Sequence, residues 1–138
     1  MGLITLVYVS LADHQMKETE LVEILRVARD NNKKLKVTGM LLYRDGFFIQ
    51  ALEGEEKVVD DLFNDIATDE RHKNVLVVYK NHVTTRTFTD WSMGFNKLED
   101  HHLEDLDGYN GMLNANFFAE KPGRAVTLLE SFRNKSYF

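Results

Sequence analysis

Two hydrophobic periods take turns along the first hundred residues, and their order limits what this chain can fold into. Residues 3–9 are short, apolar and β-branched, the pattern of a buried strand. Residues 17–30 (KETELVEILRVARD) set Leu21, Ile24, Leu25 and Ala28 at helical spacing, with charges on the opposite side. Asn31-Asn32 is expected to end that helix. Strands are expected over 36–43 and 47–52, joined at Arg44-Asp45-Gly46, because Asp-Gly is a strong hairpin signal. Glu53-Gly54 reads as punctuation before a second amphipathic helix over 55–67, with Val58, Leu62, Phe63 and Ile66 turned inward. A fourth strand is expected over 74–80 and a fifth, less regular, over 85–98. The order βαββαββ predicts an α+β fold, a ferredoxin-like mixed sheet with two helices on one face.

The chain changes character after residue 100. Apolar residues at helix-compatible spacing are interrupted by Gly108 and Gly111, and Pro122-Gly123 reads as a break before a terminal helix. Residues 1–100 are therefore expected to form one domain and 101–138 a helical C-terminal extension. Leu113, Phe117, Phe118, Leu128, Leu129 and Phe132 give that extension enough apolar surface to cap a sheet face or make an oligomer contact.

Composition removes several functions. The 138 residues contain no cysteine, which excludes disulfides, thiolate nucleophiles and cysteine-ligated metal centres. No apolar run is long enough to span a bilayer, and the N-terminus lacks the basic start of a signal peptide. The chain reads as cytoplasmic. A net charge of -5 argues against binding along a phosphate backbone.

Two polar side chains stand where apolar ones are expected. Tyr8 interrupts LITLVYVSL and Gln50 interrupts GFFIQALEG; Met93 follows Trp91 in FTDWSMGF. A buried amide is costly unless it has partners. Gln50 donates and accepts at once, and a tyrosine hydroxyl does either. If the two meet in a dry core, they can read the hydrogen-bonding edge of a bound heteroaromatic ring.

Taken together, these residues resemble the BLUF domain, the family of blue-light sensors using flavin. The resemblance rests on Tyr8, Asn31-Asn32, Thr38-Gly39, the run Phe47-Phe48-Ile49-Gln50 with Leu52-Glu53-Gly54, Asp69-Glu70-Arg71-His72, and Trp91-Ser92-Met93. It covers roughly residues 1 to 100, about the length of one small domain. It implies a non-covalent flavin, FAD with FMN or riboflavin as alternatives. Ile24 and Ile66 would sandwich the ring, and Phe48 would pack nearby. Asn31 and Asn32 would bond the ring edge or side chain. Asp69, Arg71 and His72 would sit near the ribityl chain and pyrimidine edge, and Gln50 between Tyr8 and the ring. Trp91 and Met93 would relay the signal to a downstream protein. The resemblance implies a photoreceptor rather than an enzyme, and a homo-oligomer; the length after residue 100 holds no effector enzyme domain.

Each residue alone has a plainer reading. Tyr8 suits a strand rim, Gln50 an edge strand, Asn31-Asn32 a turn, and Trp91 and Met93 core filling. His101-His102 is a weak metal signal, since adjacent helical residues do not face one ligand position. Two other functions suit the same fold. An acylphosphatase-like hydrolase would want an arginine in a phosphate-cradling loop after the first strand, and VSLADHQM has none. An RNA-binding sheet would use the FFIQ aromatics, against the acidic charge.

Overall fold

The chain is described here from a computed structural model, over residues 2–89, 91–104, 115–134 and 136. Strands β1 (Leu3–Ala12), β2 (Thr38–Arg44), β3 (Phe47–Glu55), β4 (His72–His82) and β5 (Gly94–Lys97) form one sheet in the order β4-β1-β3-β2-β5. The first four pair antiparallel, and β5 joins β2 in parallel, so the sheet is mixed. Helices α1 (Glu18–Leu35) and α2 (Glu56–Ala67) cover one face. Three short helices follow: α3 (Asp100–Glu104), α4 (Ala115–Glu120) and α5 (Pro122–Glu130).

Strand alternation divides the core into two layers. Along β3, Phe48 and Leu52 pack with Tyr8, Leu21, Leu25 and Val59 under α1 and α2. Phe47, Ile49 and Ala51 face the other way and pack with Phe118, Ala125, Leu128, Leu129 and Phe132. The C-terminal helices thus cap the second sheet face, where each fully buried leucine or phenylalanine contributes about 1.5–3 kcal/mol. Leu113 lies outside the described residues. Among those residues, no helix is long and apolar enough to cross a membrane.

Two glycines have specific work in this frame. Asp45 and Gly46 both take positive φ, 49° and 88°, as a tight hairpin between β2 and β3 requires. A Cβ at Gly39 would meet the Ala51 carbonyl oxygen at 2.0 Å, so only glycine lets β2 lie this close to β3.

Several expected boundaries move. Asn31-Asn32 does not end α1; both lie inside it, and Lys36 ends it in the left-handed region with φ 57°. The Lys36 N–H turns back to Asn32 and Lys33, and Val37 N–H donates to the Asn32 carbonyl at 2.9 Å. Buried Val37 then seals the stop, a left-handed closure without the usual glycine. Glu53-Gly54 continues β3 rather than ending it, because both residues are buried between β1 and β2. The expected break at Pro122 falls between α4 and α5, and Pro122 itself opens α5, since its missing N–H costs nothing in a first turn. The fifth strand spans four residues only, leaving Trp91 and Met93 on the segment that leads into it.

Candidate functional site

Register brings the two anomalous polar residues together. Tyr8 and Gln50 are direct cross-strand partners on β1 and β3, and both are buried. Side chains directly opposite in an antiparallel pair share a face, so the contact follows from the pairing. A register shift in β1–β4 falls between Val7 and Tyr8, a local irregularity that can re-aim a side chain. The Tyr8 hydroxyl donates to Gln50 Oε1. Gln50 Nε2 donates in turn to Met93 Sδ at 3.3 Å. Burial, with the charge of Asp69 added, pushes the Tyr8 phenol well above its ordinary range, so it stays protonated.

This pair lies beside a cavity of about 220 Å³ between the sheet, α1 and α2. Tyr8, Ile24, Asn31, Asn32, Phe48, Gln50, Ile66, Asp69, Arg71 and His72 all line it. Ile24 comes from α1 and Ile66 from α2, one apolar group on each side. Asn31 and Asn32 reach it only because α1 runs a turn beyond its expected end. Asn32 is 2% exposed; its Nδ2 donates to the Ser92 carbonyl at 2.7 Å. Its Oδ1 makes no hydrogen bond within the described protein, although the residue lines the cavity. A nearly buried amide with an unused acceptor fits a ligand that carries an N–H on its edge.

The far side of the cavity is charged. Arg71 pairs with Asp69 at 2.6 Å and holds its carboxyl down at about 2. His72 Nδ1 lies 3.0 Å from Ser10 Oγ, and its ring sits 5.4 Å from that of Phe48. Burial lowers its pKa, more than the Asp69 charge raises it, and the imidazole is neutral near pH 7.

Met93 and Trp91 part company here. Met93 is buried at 1% exposure against Gln50. Trp91 is half-buried on the other side, where Nε1 donates to the Arg133 carbonyl at 2.7 Å. Three backbone carbonyls of this segment are held from outside: Trp91 by Gly39 N–H at 3.0 Å, Ser92 by Asn32, and Met93 by Arg29 Nε at 2.8 Å.

Other lining residues went unforeseen, namely Val27, Ala28, Leu41, Leu52, Leu62 and Asp65. Val27 and Ala28 sit three and four residues after Ile24 on the same helix, so helical spacing alone could have found them. Arg29 carried no local signal. Its contact with Met93 spans 64 positions of sequence.

A narrow slot with an aliphatic group on each side and amides at its edge, one with an unused acceptor, defines a receptor for a flat, edge-polar ring. The family model of sensors of blue-light using FAD matches residues 3–94, and the chain belongs to this BLUF family of flavin-binding blue-light sensors. Photoactivated adenylate cyclase subunit alpha of Euglena gracilis is 41% identical over 86 residues, which is 62% of this chain and 8% of that protein. The photo-activated state of BlsA superposes with a TM-score of 0.78 at 26% identity, covering 97% of this chain and 96% of that one. The dark state of BlrB gives 0.71 at 29% identity, covering 94% and 93%. The chain thus spans under a tenth of the cyclase relative's length, but nearly all of these two structures. Neither alternative function is favoured. Phe47 and Phe48 are both buried beneath helices and cannot stack on RNA bases.

Proposed function

We propose that light is converted into a change of hydrogen bonding along Tyr8, Gln50 and Met93, and that this change is passed through Trp91 to residues 101–138. Bound flavin supplies a blue-absorbing ring that is strongly oxidising when excited. Ile24 and Ile66 hold it between α1 and α2, Phe48 packs beside it, and Asn31, Asn32 and Gln50 address its edge. Asp69, Arg71 and His72 serve the ribityl chain and the pyrimidine edge.

The observation that carries the reading is the chain of three buried groups, with the amide in the middle. Tyr8 is a neutral phenol whose proton already points at Gln50 Oε1. It could yield an electron to the excited ring and its proton to the amide oxygen. Both would return to Tyr8 as the amide turns, leaving a neutral phenol and a neutral amide with no net redox change. When the amide rotates, Nε2 turns to the Tyr8 oxygen and Oε1 turns toward Met93 Sδ. Oxygen and sulfur are then two acceptors face to face. Met93 must withdraw, and the backbone it shares with Trp91 moves with it. The amide therefore has two bonding patterns, and only one tolerates Met93 in its present place, which makes it a bistable element.

Residues 1–100 hold the receptor in this reading, and 101–138 form the output cap. A downstream protein receives the signal. Self-association would use the edge strand β4, where Leu76 and Val77 are each 39% exposed.

Absorption spectra before and after blue light test the mechanism. The flavin-loaded protein should give a red-shifted blue band that reverts in the dark. Tyr8→Phe and Gln50→Leu should each retain flavin and lose the shift. A normal light response in Gln50→Leu would sink the reading, and so would full bleaching of the visible band.

A further inference from the structure

Glu53 is a carboxylate with no surface exposure, on the face of β3 opposite Gln50. Ala51 and Glu53 point toward the C-terminal helices, as Gln50 and Leu52 point toward the flavin cavity. Burying a charge is costly unless hydrogen bonds replace the lost water. Four contacts do so here. Thr5 Oγ1 donates at 2.6 Å, Thr87 N–H at 2.9 and 3.2 Å to the two oxygens, and Phe88 N–H at 2.8 Å. Among the described residues, no cation makes an ion pair with this carboxylate. Its partners are a strand hydroxyl and two backbone amides of the segment between β4 and β5.

Arg86 locks the same place from the outside. Its guanidinium donates to Thr38 Oγ1 at 2.8 Å, to the Glu53 carbonyl at 3.0 Å and to the Lys36 carbonyl at 2.7 Å. Residues 86–88 are therefore fixed to β1, β2 and β3 at one point. Trp91 and Met93 begin three residues later, and β5 fixes the segment again at Gly94. The stretch carrying Trp91 and Met93 is tethered at both ends, with Glu53 holding the upstream end. Thr5, Thr87 and Phe88 also border α5 at Val126, Leu129 and Glu130.

We propose that Glu53 is a positioning residue for the light response. Its carboxylate fixes the start of the Trp91–Met93 segment to the strand that carries Gln50, so that displacement of Met93 moves Trp91 instead of dissipating in a slack loop. This rests on the signal route through Met93 and Trp91 given above. Glu53→Leu is of similar size but removes both carboxylate oxygens, so the Thr87 and Phe88 amides lose their acceptor. Thr5→Val removes a single donor and leaves the carboxylate.

The test uses the flavin-loaded full chain. Trp91 is the one tryptophan of the sequence, so its fluorescence reports on this segment alone. Glu53→Leu should keep the red shift, because Tyr8 and Gln50 are untouched. Amide exchange at Thr87 and Phe88 should accelerate about tenfold in the dark, the scale of one lost charge-assisted bond. Quenching of Trp91 by acrylamide should rise in the dark, and its light-minus-dark change should fall to less than about a third of the parent's, as a freed segment no longer follows Met93. Thr5→Val should move every readout the same way by less, and it decides the matter if Glu53→Leu fails to retain flavin. A parent that responds at Trp91, beside variants that respond equally, overturns the role of Glu53. A parent with identical Trp91 quenching in dark and light overturns the signal route itself, and the role of Glu53 with it.

Discussion

Gln50 and Met93 share a hydrogen bond in which the amide Nε2 donates to the thioether sulfur at 3.3 Å, closed to solvent on both sides. Sulfur is a weak acceptor, so this bond orients the amide without binding it tightly. The stronger acceptor of the pair, Gln50 Oε1, is committed to the Tyr8 hydroxyl. A modest rearrangement energy can therefore reverse the amide, and Met93 is the neighbour that the reversal disturbs.

Met93→Ala should keep bound flavin and most of the spectral shift, since neither Tyr8 nor Gln50 is altered. It removes the acceptor that favours the dark orientation of the amide. It also removes the sulfur that the rotated amide oxygen faces, so recovery in the dark should slow by roughly 3- to 10-fold, the effect of about 1 kcal/mol of repulsion relieved in the rotated arrangement. Output through residues 101–138 should fall at the same time. Flash spectroscopy and light-dependent hydrogen exchange read the two effects separately. A variant with unchanged recovery and full output would show that Met93 only fills space.

Asn32→Ala should weaken flavin retention rather than the photochemistry. The amide serves two masters: Nδ2 holds the Ser92 carbonyl, and Oδ1 is left for the ligand edge. Losing it leaves buried groups unpaired, at about 1–3 kcal/mol. Flavin dissociation, followed by fluorescence on dilution, should be roughly 5- to 150-fold more favourable on that scale. Equal retention would remove Asn32 from the binding set.

Much of this site is legible in the sequence, and the reasons it is differ by residue. Tyr8 and Gln50 stand out because a polar group in an apolar strand needs a partner, and the matching register supplies it. The order of strands and helices along the chain follows from periodicity and the Asp45-Gly46 turn. Other features rest on contacts with no local signature. The end of α1 was misplaced because asparagine is a common stop signal, whereas the actual stop is a lysine in a left-handed conformation held by Val37. The fifth strand is shorter than expected because residues 86–88 are held by the Glu53 carboxylate and by Arg86 reaching out to Thr38, Glu53 and Lys36, not by ladder pairing. Met93 beside Gln50, with Trp91 turned away, is a tertiary choice that spacing alone leaves open.

Acid should loosen the charged side of the cavity in two steps. Burial depresses the His72 pKa, so below about pH 6.5 the unfolded chain binds a proton that the folded chain resists. Stability should fall as pH drops through that value and level off below the depressed folded pKa. Asp69 works at lower pH. Its contribution is complete above 3.8 and is lost as pH falls toward about 2, where the carboxyl paired with Arg71 protonates. Urea midpoints of parent and His72→Gln between pH 7.5 and 5 check the first step, where the variant should show the flatter profile. Parallel profiles would contradict it.

Trp91→Phe isolates the link to the C-terminal helices. The ring remains to fill its half-buried place, but the N–H that reaches the Arg133 carbonyl is gone. Stability should drop by about 0.5–1.5 kcal/mol, the net worth of one such bond. The red shift should persist, because Tyr8, Gln50 and Met93 keep their contacts. Light-dependent exchange should survive around Met93 and vanish at residues 131–134, which follow α5 and pack through Phe132 against the second sheet face. If light still changes protection at 131–134 in the variant, the indole bond is not the link, and the sheet face itself carries the signal to α5.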